Sequence, residues 1–93
     1  MPSEIATIKV KDDKIEEAKK LFAQLAAGVR ADEPGTLAYI PHQRQDEPAT
    51  FIFYEKYSDM DAFKAHGANL AKRGKDFAGV MAGPPEIVMV DEV

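Results

Sequence analysis

Phe51-Ile52-Phe53-Tyr54-Glu55-Lys56-Tyr57-Ser58-Asp59-Met60-Asp61-Ala62-Phe63-Lys64-Ala65-His66 changes periodicity partway along. Up to Tyr57 it alternates as a strand does. Phe51, Phe53, Glu55 and Tyr57 fall on one face, and Thr50, Ile52, Tyr54 and Lys56 on the other. From Ser58 the pattern is helical, with Ser58 placed to cap and Asp61 three residues on to reach back. Two titratable groups then stand in apolar company. Glu55 shares its face with three aromatics, and His66 lies one turn after Phe63 and one turn before Leu70. A carboxylate and an imidazole facing apolar surroundings, with phenols nearby, have the makings of a small proton-handling pocket.

Working outward, Glu4 to Val10 alternates as a first strand, with Ala6, Ile8 and Val10 opposed to Ile5, Thr7 and Lys9. Asp13 and Glu16 form a capping-box pattern that opens a helix. Its buried stripe is Ile15, Ala18, Phe22, Leu25 and Val29, and Pro34-Gly35 ends it. Thr36 to Arg44 reads as a second strand, on a sheet edge because Pro41 cannot donate to a ladder. Thr50 to Tyr57 is the most apolar strand and is placed centrally. A short helix over Asp59 to His66, a bend at Gly67 and a second helical piece over Ala68 to Phe77 follow. Gly83-Pro84-Pro85 ends the loop before a last strand, Glu86 to Glu92. The order strand, helix, strand, strand, helix, strand predicts an α+β, ferredoxin-like βαββαβ fold with a four-stranded antiparallel sheet. Helices cover one face of such a sheet. Ile52, Tyr54, Val88 and Val90 lie on the other, so a second copy packing sheet to sheet is expected.

At 93 residues with 45% apolar composition the chain suits one globular domain, 1–93. A domain this small buries a limited share of its surface, so association favours its stability. It has no cysteine, which excludes a disulfide framework and a thiolate nucleophile and fits a reducing cytoplasm. The first ten residues lack the basic-then-apolar layout of a signal peptide. No apolar run approaches the roughly 20 residues that cross a bilayer, so no membrane partner is expected. A net charge of −4 disfavours nucleic acid.

His66 is the candidate general base, since a modest environmental effect leaves an imidazole neutral and able to accept a proton near pH 7. The plainer alternative is a helix-end histidine bonded to a carbonyl. Glu55 either pairs with a cation such as Arg44 or Lys9, or accepts the ring N–H of His66 and fixes its tautomer. Tyr39 and Tyr57 can donate hydrogen bonds to a substrate oxygen, although buried tyrosines find partners whatever the function. His42, beside a turn, reads as a surface residue. Phe22, Phe53, Phe63 and Phe77 read as core residues before they read as a cofactor platform. The two histidines are far apart and no carboxylate cluster accompanies them, so no metal site is expected. The scattered glycines form no phosphate loop, and a Gly-x-Ser-x-Gly elbow is absent.

A strand ending Glu55-Lys56-Tyr57, a short turn and Ala62-Phe63-Lys64-Ala65-His66 resemble the signature of the antibiotic biosynthesis monooxygenase domain family. Glu33-Pro34-Gly35-Thr36-Leu37-Ala38-Tyr39 resembles that family's Glu-Pro-Gly-x-x-x-Tyr lead-in to its second strand. The resemblance covers nearly the whole chain. It implies a dimeric α+β barrel, in which two copies share their sheets, and oxidation of a phenolic, quinol or polycyclic aromatic substrate by dioxygen with no cofactor. His66 falls on the family's recurrent histidine. Under that reading His66 and Glu55 handle the proton, Tyr39 or Tyr57 holds the oxyanion, and Phe53, Phe63, Leu70 and Met81 supply apolar walls. The chain departs from the pattern in Asn69-Leu70-Ala71-Lys72, where many members carry a Ser and a second His. Haem-degrading relatives combine an Asn, a Trp and this His; here there is no Trp, and Thr7 stands near the Asn position. The alternatives are a ligand-binding barrel without turnover and an isomerase of the same family. An RNA-recognition domain shares the strand order, but a Gly-aromatic-Gly strand motif is missing. The Val10–Lys14 loop lacks the arginine and glycines of an acylphosphatase.

Overall fold

The structure, a computed structural model, describes residues 1–93. Its elements are β1 (Pro2–Lys9), a 3-10 turn (Asp12–Lys14), α1 (Ile15–Asp32), β2 (Thr36–Gln43), β3 (Thr50–Tyr57), α2 (Met60–Ala71), α3 (Gly74–Val80) and β4 (Glu86–Asp91). The strands form one antiparallel sheet in the order β2-β3-β1-β4. This is the α+β, ferredoxin-like arrangement expected from the order of elements. β3 is central and β2, with Pro41, is an edge. No helix is long and apolar enough to cross a membrane.

The register sets which side chains meet. Glu4 opposes Glu55, Ala6 opposes Phe53 and Ile8 opposes Phe51 across β1 and β3, while Tyr39 opposes Glu55 across β2 and β3. These all face the helices. α1 lays Ala18, Phe22, Leu25, Ala26 and Val29 onto that face. The ring of Phe22, 1% exposed, meets Phe51 and Phe53 edge-on at 5.1 and 4.9 Å. Burying such a side chain contributes about 1.5–3 kcal/mol, and each well-placed ring pair about 0.5–1.5 kcal/mol more.

Local details differ from the sequence reading. Asp13 and Glu16 do not form a capping box, because Asp12–Lys14 is a 3-10 turn and α1 starts at Ile15 without a side-chain cap. Asp59, not Ser58, caps α2; its carboxylate accepts from the Ala62 N–H at 2.8 Å. Gly67 does not bend the chain. One exposed glycine costs a helix about 1 kcal/mol relative to alanine, too little to interrupt α2, which runs on to Ala71. The break falls at Lys72-Arg73 instead, so Phe63, His66 and Leu70 share one unbroken helix.

The opposite face of the sheet is uncovered. Ile40, Val88 and Val90 are exposed there, and Ile5, Ile52 and Tyr54 are partly so. All six residues of β4 are exposed, including Ile87 and Met89 on the helix side, because α2 and α3 do not reach across it.

Candidate functional site

Where β1, β2 and β3 run past α2, the apolar core gives way to ionisable groups. Glu4 continues the inward parity of Ala6 and Ile8, and Glu55 that of Phe51 and Phe53. Both carboxyls are therefore buried, at 8% and 3% exposure. α2 contributes His66, its only buried residue. The Nδ1 of His66 donates to Glu33 Oε1 at 2.8 Å, and Nε2 lies 3.5 Å from Glu55 Oε1. The second separation is close enough for charge attraction but long for a hydrogen bond. The Tyr57 hydroxyl donates to Glu55 Oε1. Tyr39 and Tyr57 flank the imidazole, with ring centroids at 4.8 and 5.4 Å.

The Glu33-Pro34-Gly35 turn brings Glu33 into this group. Thr36 Oγ1 donates to Glu33 Oε1 at 2.9 Å, the oxygen that also receives His66. The Ser58 N–H donates to the Gly35 carbonyl at 2.9 Å. Gly35 has no positive φ; its smallness matters because a Cβ there would sit 2.7 Å from the Ala62 Cβ. The glycine thus lets the end of α1 and the start of α2 approach closely enough for Glu33 to meet His66.

The electrostatics differ from those of an apolar histidine pocket. Burial alone would push the His66 pKa down, but the close Glu55 carboxylate, the hydrogen bond to Glu33 and the charges of both outweigh it and raise the pKa. The imidazolium is favoured, in place of the neutral ring that apolar neighbours alone would leave. Glu4 is raised to about 7, first by burial, then by a hydrogen bond with Glu55 and the charge of Glu55, with His66 opposing. Tyr39 is raised by burial and by the charges of Glu55, Glu33 and Glu4. Tyr57 is raised by burial and by its bond to Glu55. Both phenols stay protonated as donors.

A cavity of ≈300 Å³ lies against this cluster, bounded by Glu4, Ala6, Ile8, Tyr39, Phe53 and Glu55 from the sheet and by Leu70, Ala71, Phe77, Met81, Pro85 and Ile87 from α2 onward. Of the expected site residues, Glu55, Tyr39, Phe53, Leu70 and Met81 border it. His66 does not; it stands behind Tyr39 and Glu55. Tyr57 and Phe63 lie outside the wall, packed edge-on at 5.2 Å. His42 is exposed, as expected of a surface residue. Arg44 binds Asp46 and Glu47 and has no contact with Glu55. A second, polar groove between α1 and α2 includes Asp32, Lys72 and Arg73. No three His, Asp or Glu side chains converge in a geometry suited to a metal ion.

Sequence reasoning did not place Glu4 or Glu33 in the site, although Glu33 opens the Glu-Pro-Gly motif quoted above. For Glu4 a signal existed, since it shares the face of Ala6 and Ile8. Glu33 had none beyond its place before Pro34-Gly35, because its meeting with His66 spans 33 residues of chain.

No curated protein matches the chain. Among solved structures, a Caulobacter crescentus CB15 protein provisionally named an antibiotic biosynthesis monooxygenase is 37% identical, with a TM-score of 0.90 over 99% of this chain and 89% of its own. A similarly named Nitrosomonas europaea protein is 29% identical, with a TM-score of 0.83 over 100% of this chain and 99% of its own. A further antibiotic biosynthesis monooxygenase structure is 26% identical, with a TM-score of 0.88 over 100% and 99% of the two chains. The family model described as antibiotic biosynthesis monooxygenase matches residues 1–71, from β1 to the end of α2, the span that holds Glu4, Glu33, Tyr39, Glu55 and His66. The chain therefore belongs to the antibiotic biosynthesis monooxygenase family.

Proposed function

We propose that the chain is a monooxygenase that binds a neutral hydroxylated or keto aromatic in this cavity and oxidises it with dioxygen, without metal or flavin. One observation carries the reading: the ≈300 Å³ cavity, lined mostly by apolar residues, has its ionisable residues Glu4, Tyr39 and Glu55 together on the sheet side. That volume is at the low end of ligand sites and suits a molecule of one to three rings. A flat apolar substrate would pack against Phe53, Leu70 and Met81 and present its acidic proton to the polar wall.

The chemistry asks little of the protein. Dioxygen is slow to react with closed-shell molecules, but an enolate or phenolate can pass it an electron. The resulting pair then couples at a ring carbon. At a methylene carbon, loss of water from the hydroperoxide leaves a ketone. One oxygen atom enters the product, the other leaves as water, and the substrate supplies all four electrons. The protein must remove the first proton, hold the anion and exclude bulk water. Tyr39, kept protonated, serves as the donor to that anion. In this reading His66 acts one step back, as a cationic partner that orients Glu55.

Dioxygen uptake with a hydroquinone and with anthrone, after treatment with a chelator, tests the proposal. Uptake well above autoxidation, reduced in a His66→Gln variant, is expected. Rates equal to those in buffer for every such compound would sink the oxygenase reading. An isomerase could use the same base and oxyanion donor, and would turn over under nitrogen. The cavity wall carries no Lys or Arg, which disfavours a phosphorylated substrate.

We also propose a homodimer formed through the uncovered sheet face. Its support is the exposed Ile40, Val88 and Val90 beside the partly exposed Ile5, Ile52 and Tyr54. Sedimentation at micromolar concentration tests it, and a monomer there would refute it.

A further inference from the structure

We infer that Glu4, backed by Glu55, is the catalytic base that takes the substrate's acidic proton, and that His66 is a positioning residue behind the pair. The inference rests on the oxygenase reading of the cavity and names the residue that would start the reaction.

The geometry separates the candidates. His66 is 3% exposed, its Nδ1 is committed to Glu33 at 2.8 Å, and it does not border the cavity. Glu55 does border it, but its Oε1 accepts from Tyr57 and faces the His66 ring. Tyr39 is a protonated donor, the wrong form for a base. Glu4 borders the cavity directly and stands opposite Glu55 in the β1–β3 register. The groups that face it are Glu55 and Tyr57 from β3, Tyr39 from β2, His66 from α2 and, behind His66, Glu33 at the end of α1. β4 offers Met89 across the ladder and Ile87, and α3 offers Phe77, so no Lys or Arg neutralises it.

A second carboxyl opposite it and burial both make the Glu4 carboxyl harder to ionise. Glu4, raised to about 7, fits that behaviour. Above that pH it is an ionised carboxylate on the polar side of an otherwise apolar cavity, matched to proton removal at working pH. The step balances simply. A C–H or O–H bond of the substrate breaks, its electron pair stays behind as enolate or phenolate, and an O–H bond forms on the Glu4 carboxyl. Nothing is oxidised until dioxygen arrives.

Proton removal can therefore be read without oxygen. The probe is 2-tetralone, a neutral bicyclic ketone with acidic benzylic protons, incubated anaerobically in D₂O and followed by proton NMR. Wild-type protein is expected to accelerate exchange, with a rate that rises through about pH 7 and then levels. Glu4→Gln is expected to lose roughly 10²–10⁴-fold. The Gln variant exchanging at the wild-type rate would overturn the inference. So would a wild-type rate that falls as pH rises through neutrality, or one no faster than buffer; these two outcomes need no variant to fold. Oxygen uptake is measured in parallel. Exchange without uptake removes the oxygenase reading and keeps Glu4, whereas undiminished uptake in Glu4→Gln removes Glu4 and keeps the oxygenase.

Discussion

Replacing Glu4 by glutamine should stabilise the protein, and only above mildly acidic pH. In the fold Glu4 holds its proton up to about 7, against an ordinary value of 4.5. The unfolded chain releases that proton at the lower pH. Between the two values the native state binds more protons than the unfolded state, so wild-type stability falls as pH rises. The gap is 7 − 4.5 = 2.5; at 1.36 kcal/mol each, that is about 3 kcal/mol once pH exceeds 7. His66 contributes a slope of the same sign. Its folded pKa is raised, so its stabilisation is present below the ordinary histidine value and lost as pH climbs through the folded one. Both proteins share most of that slope; the part that comes from the attraction between Glu4 and His66 is lost in the variant and trims the difference. Glutamine mimics the protonated carboxyl, with an N–H donor for Glu55 and no charge to bury. Urea unfolding at pH 4, 6 and 8 should show near-equal stability at the first and a variant advantage approaching ~3 kcal/mol at the last. A constant difference across that range would refute the reasoning, because it would mean that Glu4 titrates alike in both states.

Phe53, 1% exposed and packed on Phe22 and Tyr39, should cost about 3–5 kcal/mol when truncated to alanine; denaturant unfolding checks this, and a loss well under ~1 kcal/mol would contradict its core role. Ile52→Asp, on the uncovered face between Thr7 and His42, should dissociate the proposed dimer with the fold retained; an unchanged sedimentation coefficient would move the interface elsewhere. Gly35→Ala should cost roughly 1–3 kcal/mol, because the new methyl meets Ala62 at 2.7 Å. It should also loosen the Glu33–His66 contact, visible as a fall in the His66 pKa by NMR, and an unshifted His66 would show that the turn does not set that contact.

The strands were legible because their alternation is strict. Thr50–Tyr57 needed no correction, and Pro41 marked the edge because its missing N–H is a local fact. Helix ends were less so. Ser58 and Asp59 are both good caps, and only the entry angle of the chain decides between them; Gly67 looked like a break because propensity is read one residue at a time, while the helix is held by its neighbours. The candidate site was legible in its His66 and Glu55 and illegible in their environment. An apolar neighbourhood along α2 argues for a neutral imidazole, but two carboxyls arrive from β3 and from the α1–β2 turn. Only the register of β1 on β3 brings Glu4 opposite Glu55.

β4 has no buried residue and pairs with β1 alone. In a single copy, little beyond its ladder of backbone bonds resists local opening, which places it at the low end of the molecule's spread of local stabilities. Its Ile87 is also part of the cavity wall. Fraying of this strand would therefore remove part of the cavity wall. A second copy seated on Val88 and Val90 would fasten that strand from behind. Amide exchange along β4 would then slow as protein concentration rises, and dilution would open the cavity.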